Sequence, residues 1–158
     1  MNKDLYEKYL TVIANCYINK NFEELYPLLA EDIVWESNWV LEPRKGYDTV
    51  VSYYKNKQEQ LANSTWRTYH CLVETLDPFK NPNKSTRDAN GNRVMLFHDT
   101  GLLLDYCLQV SDTGEKSDMI IQIKINDDNK ISRIDMCIPT LFNYKKYKSI
   151  NMENSYDA

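Results

Sequence analysis

Glycine is scarce, four residues in 158, and proline contributes five. No glycine-rich phosphate loop, dinucleotide fingerprint or nucleophile elbow is spelled out. No apolar run approaches membrane-spanning length. The opening residues, Met1-Asn2-Lys3-Asp4-Leu5-Tyr6-Glu7-Lys8, carry charge where a signal peptide needs an apolar stretch. A cytoplasmic protein with no membrane association is therefore expected. Cys16, Cys71, Cys107 and Cys137 are far apart and form no Cys-x-x-Cys pair, so neither a zinc site nor a thioredoxin-like motif is written, and four buried free thiols are expected. With two histidines on separate segments and scattered carboxylates, metal-ligand spacing is missing, and neither a metal nor a cofactor is predicted.

An excess of positive charge is lacking as well. The net charge is −4 and the pI near 5.2, against broad capture of nucleic acid, which requires a basic face that releases phosphate counterions. The one basic cluster, Lys145, Lys146 and Lys148, reads as part of a solvated tail over residues 140–158. What the chain does have is aromatic mass: twelve tyrosines, three tryptophans and four phenylalanines. Such a composition favours walls and pockets. The length suits one domain over 1–158 with one sizeable core.

Leu5, Tyr9, Val12, Ile13, Cys16 and Tyr17 form one helical stripe, predicting a helix over 3–20. Asn21 and Glu24 have capping-box spacing, and Phe22, Leu25, Leu28 and Leu29 turn inward, predicting a second helix over 22–30 that Pro27 distorts. Ile33-Val34-Trp35-Glu36-Ser37 reads as a short strand with Trp35 and Ser37 on one face. Pro43 and Gly46 bracket a loop. Val50, Val51, Tyr54 and Leu61 then predict a third helix over 46–62.

From Thr65 the period changes to two. Residues 65–76 have two competing faces, one with His70 and Leu72, the other with Tyr69, Cys71 and Val73. Residues 77–93 are rich in turn formers and predict a long loop. Over 94–110, Val94, Leu96, His98, Leu102, Leu104, Tyr106 and Leu108 share one parity, which is taken as the inward face, with a bulge at Gly101 able to reverse that parity beyond it. Met119–Ile125 and Ile131–Ile138 form a hairpin around Asp127-Asp128-Asn129-Lys130. Met95, Phe97, Leu103 and Cys107, with Tyr69 and Val73, would leave apolar groups on the outer face, which predicts a homodimer.

This order of elements resembles the nuclear transport factor 2-like superfamily, which includes ketosteroid isomerases and SnoaL-like polyketide cyclases. The likeness rests on Phe22 through Glu36 and on Glu42-Pro43-Arg44-Lys45-Gly46, and as an order of elements covers residues 3–139. It implies an α+β fold in which a curved antiparallel sheet, cone-shaped, wraps three N-terminal helices around an apolar cavity. Matched without gaps, the isomerase base falls at Ser37, its tyrosine at Ile13 and its late acid near Ile121. A serine hydroxyl does not serve as a base near neutral pH, so the ketosteroid-isomerase catalytic set is not present.

His98 is the best catalytic candidate, either a cavity-facing acid or base or a satisfied core histidine. The adjacent Asp99 is expected on the opposite face and does not form a dyad with it unless a bulge intervenes. Tyr17, Trp35, Ser37, Trp39, Tyr54 and His98 are the expected ligand-binding residues. Three functions stay open: binding of a small, mostly apolar ligand in the cavity; a cyclase- or dehydratase-type enzyme using His98; and a protein-interaction module using the outer sheet face.

Overall fold

The structure is a computed structural model that describes residues 2–76, 102–141 and 143–152. His98, the 77–93 loop, the 94–101 part of the long strand and residues 153–158 lie outside the described residues. Two α-helices and a seven-stranded mixed sheet make up the rest. Helix α1, Lys3–Asn19, starts where the Asn2 side chain accepts a hydrogen bond from the Leu5 N–H at 3.1 Å, and stops at Lys20 in the left-handed region at φ 55. Its stripe of Tyr9, Leu10, Ile13, Cys16 and Tyr17 is buried.

The helix expected over 22–30 does not form. Pro27 withholds an N–H from the interior of the segment, and only a 3-10 turn, Tyr26–Leu28, survives before strand β1, Leu29–Ser37. Phe22 and Leu25 still turn inward, both fully buried. Their apolar spacing was real, but it served a packed turn. Strand β2, Val40–Lys45, occupies the segment expected as a loop. It is an edge strand, and Pro43 falls where the β1–β2 register slips between Trp35 and Ser37, so its missing donor breaks no ladder there.

Helix α2, Tyr47–Ala62, matches the expected third helix. Gly46 precedes it at φ +93 and ψ 153, a region that side chains with a Cβ avoid, and donates its N–H to the Ile33 carbonyl at 2.8 Å. Gly46→Ala is expected to cost about 1–3 kcal/mol in urea unfolding, from backbone strain alone, because nothing lies within 4 Å of the added Cβ. A neutral result would show that the turn relaxes freely.

Strands β3 (Arg67–Thr75), β4 (Leu103–Val110), β5 (Lys116–Ile125), β6 (Ile131–Cys137) and β7 (Tyr144–Ser149) complete the sheet, in the order β2-β1-β6-β5-β4-β3-β7. The pairing is antiparallel except between β1 and β6, which run parallel, so the expectation of a wholly antiparallel sheet is corrected. Strand β7 is a second correction. The lysine-rich segment expected as a tail pairs antiparallel with β3 as an exposed edge strand, and its lysines are the kind of residue that discourages further pairing at an edge.

The helices pack on one sheet face, where Trp35, Leu72, Leu103, Cys107, Ile121, Ile134 and Met136 join α1 and α2 in the main core. A second buried cluster holds Cys71, Val73, Leu104, Tyr106, Leu108 and Ile120. Parity on β4 is therefore the reverse of the expected one: Leu103, Asp105, Cys107 and Gln109 share the helix side. Both parities of β4 carry apolar residues, and the polar Asp105 and Gln109 made the odd face look outward. Leu103 and Cys107, assigned to a dimer surface, are core residues with no exposure, and Tyr69 and Val73 pack on the opposite side from them.

Candidate functional site

A cavity of about 350 Å³ opens between the start of the sheet and helix α2. Trp35, Ser37 and Met136 form its floor from β1 and β6. Trp39 and Val40 come from the β1–β2 turn and β2, Arg44 from β2, Tyr53 and Lys57 from α2, and Gln109, Ser117, Asp118 and Met119 from β4 and β5. Local structure explains each placement. Trp35 and Ser37 alternate with the outward Glu36 on β1. Arg44 is the direct cross-strand partner of Trp35, and Tyr53 and Lys57 are four apart on α2, one above the other on the same helix face.

The Trp35 and Tyr53 rings lie 4.2 Å apart by centroid, and the Arg44 guanidinium stacks 4.8 Å from each. Burial pushes the Tyr53 phenol up to about 12, against the opposing pull of Arg44. Burial also pushes the Lys57 ammonium down from its ordinary value. Ser37 Oγ accepts the Trp39 N–H at 3.1 Å and so shapes the turn that sets Trp39 at the rim, 58% exposed. In the wall the carboxylate is Asp118, exposed, whose Oδ2 accepts the Tyr106 hydroxyl at 2.9 Å.

Three of the expected ligand residues, Trp35, Ser37 and Trp39, line this cavity. Tyr17 and Tyr54 do not. Both are sealed in the core, linked in a chain of rings: Tyr53 to Tyr54 at 5.0 Å, Tyr54 to Phe22 at 4.9 Å, Phe22 to Tyr17 at 4.9 Å, and Tyr17 to His70 at 5.8 Å. The helical stripe that marked Tyr54 as apolar-facing was correct, but Tyr53, beside it in sequence, is the ring that reaches the cavity. Arg44 and Lys57 were missed. The usable signals were the register that sets Arg44 against Trp35 and the four-residue step from Tyr53 to Lys57.

The histidine that is described, His70, is fully buried and engaged. Its Nδ1 lies 2.8 and 3.0 Å from the two Asp105 oxygens, and its Nε2 lies 3.1 Å from Thr68 Oγ1 and 3.7 Å from Cys107 Sγ. Burial disfavours the imidazolium, but the Asp105 carboxylate outweighs it and raises the group from 6.5 to about 10. Burial raises the neighbouring Cys107 thiol, so near neutral pH it is uncharged and Asp105 is the effective partner. A histidine between an acid and a thiol resembles a nucleophilic triad on paper. Here all three side chains are sealed, none lines the cavity, and a thiol held neutral is a poor nucleophile. The cluster is a structural ion pair.

No family profile and no curated protein matches the sequence. Solved structures do. A nuclear transport factor 2-like protein of unknown function from Mesorhizobium loti aligns over 87% of this chain and 93% of its own at 11% identity and a TM-score of 0.57. A proposed ketosteroid isomerase from Kribbella flavida aligns over 99% and 90%, at 15% identity and 0.53. A Mycobacterium tuberculosis protein in complex with estradiol-17beta-hemisuccinate aligns over 88% and 98%, at 13% identity and 0.51. At such identities the likeness is one of architecture, and the chain is nuclear transport factor 2-like in fold.

Proposed function

We propose that this protein binds a small, mostly apolar molecule in the cavity between β1, β6 and α2. The observation that carries the reading is the cavity itself, about 350 Å³ with Trp35, Tyr53, Trp39, Val40, Met119 and Met136 in its walls. Preformed concave sites of this size, mostly apolar with a few placed polar groups, are where small molecules bind. The complex of a fold relative with a steroid derivative is consistent with the same use of the architecture. Ser37 stands where the isomerase base would fall and already accepts the Trp39 N–H, so binding is favoured over proton transfer at that position.

The test uses N-phenyl-1-naphthylamine, a neutral probe that brightens on entering apolar sites. Emission should rise saturably with the native protein. Trp35→Ala should weaken binding by roughly 2–4 kcal/mol through lost contact area. Because Trp35 is also a core residue, Trp39→Ala at the exposed rim serves as a second variant, with a smaller loss expected and folding intact. No saturable rise with the native protein sinks the reading.

A further inference from the structure

Among the described residues, the two buried side-chain atoms of the cavity wall that lack a hydrogen-bond partner both belong to donors. Arg44 Nη1 is buried without a hydrogen-bond partner. Trp35 Nε1 is likewise buried and completes no hydrogen bond, although it is near enough to the Tyr54 hydroxyl to favour its ionised form. Lys57 projects into the same space from α2. Neither Arg44 nor Lys57 forms an ion pair among the described residues. Asp118, the carboxylate of the wall, is exposed and held by Tyr106 from the other side.

A cation lying against two aromatic rings and a second one losing hydration in the same cavity leave positive charge uncompensated where water is partly excluded. Such charge is stabilised by an anion far more than it would be in bulk water. Arg44 is fixed in place by its two rings, so little side-chain freedom is lost when its free edge takes an acceptor.

We propose that the ligand of this cavity is an apolar, ring-containing molecule bearing one anionic group, the rings lying against Trp35 and Tyr53 and the anion held by Arg44 and Lys57. This inference rests on the binding reading above and narrows its ligand class.

The experiment compares two probes with the same anilinonaphthalene body: neutral N-phenyl-1-naphthylamine and 1-anilinonaphthalene-8-sulfonate, which carries one negative charge. Fluorescence titration of the native protein should give a dissociation constant about tenfold or more lower for the sulfonate, the scale of a charge-assisted contact. Lys57→Gln and Arg44→Met should each remove most of that advantage and change binding of the neutral probe less than about threefold, whereas Lys57→Arg should retain it, as expected when charge carries the preference. Lys55→Gln, at an exposed position on the same helix, is the control and should change neither probe. Equal affinity for the two probes overturns the anionic ligand and leaves the binding reading standing. So does an equal loss in the Lys55 variant, which would mark general attraction to surface lysines. Failure of both probes to bind overturns both.

Discussion

Replacing Asp105 by alanine is expected to cost about 3–5 kcal/mol of folding stability, the range for removing one partner of a buried ion pair. The carboxylate lies 2.8 Å from His70 Nδ1, both side chains have no exposure, and the ring cannot turn to water once its partner is gone. Asp105→Asn should cost less, because a neutral imidazole can still donate to the amide oxygen. The pH dependence separates the two roles. His70 is raised in the folded state to about 10 from an ordinary 6.5, so its stabilising contribution is complete below about pH 6.5 and is lost as the pH rises toward 10. Urea unfolding at pH 6, 8 and 9.5 should show the wild-type advantage over Asp105→Asn shrinking steadily upward. A difference that does not change with pH would mean that His70 is neutral in the folded protein.

Phe22→Ala is the second large effect, about 3–5 kcal/mol by loss of buried area and creation of a void. Phe22 is fully buried between Tyr17 and Tyr54, and its backbone N–H donates to Gln58 Oε1 at 2.8 Å, tying the turn after α1 to α2. The two tyrosines flanking the void have buried hydroxyls that complete no hydrogen bond, so truncation leaves polar groups beside an empty space. Thermal and urea unfolding measure the loss. A cost under about 1 kcal/mol would show that the rings close over the gap, against the close packing expected of such a core.

Where the sequence reading succeeded and failed follows from the range of the forces involved. Both α-helices were legible because a 3.6-residue stripe is a local pattern: Tyr9, Ile13 and Tyr17 need only each other's spacing to mark one face. Hairpin β5–β6 was legible for a similar reason, with Met119, Ile121 and Ile123 alternating before a polar turn. Strands β2 and β7 were not. Their apolar content is low, and each exists because a neighbour, β1 or β3, offers an unpaired edge, a fact that is written elsewhere in the chain.

The site divides along the same line. Alternation on β1 placed Trp35 and Ser37 on one face, and the turn that follows put Trp39 at the same end. Tyr54 and Tyr17 were correctly apolar-facing, yet facing inward does not distinguish a cavity wall from packed core. His98 lies outside the described residues. Asp105 shows the limit most clearly. A carboxylate in a strand is assigned to water unless its partner is known, and that partner, His70, is thirty-five residues earlier, one strand over and displaced along it: His70 pairs with Cys107, and Asp105 with Leu72.

By itself the sequence determined the positions of the two α-helices, the period-two character of the second half and the apolar floor at Trp35, because these depend on spacing within a few residues. Only the tertiary structure decided which face of β4 meets the helices, that His70 and Asp105 neutralise each other, and that Arg44 and Lys57 line the same cavity. Those depend on register between strands and on how the helices lie across them. A shift of one residue in register would exchange every one of these side chains for its neighbour on the opposite face.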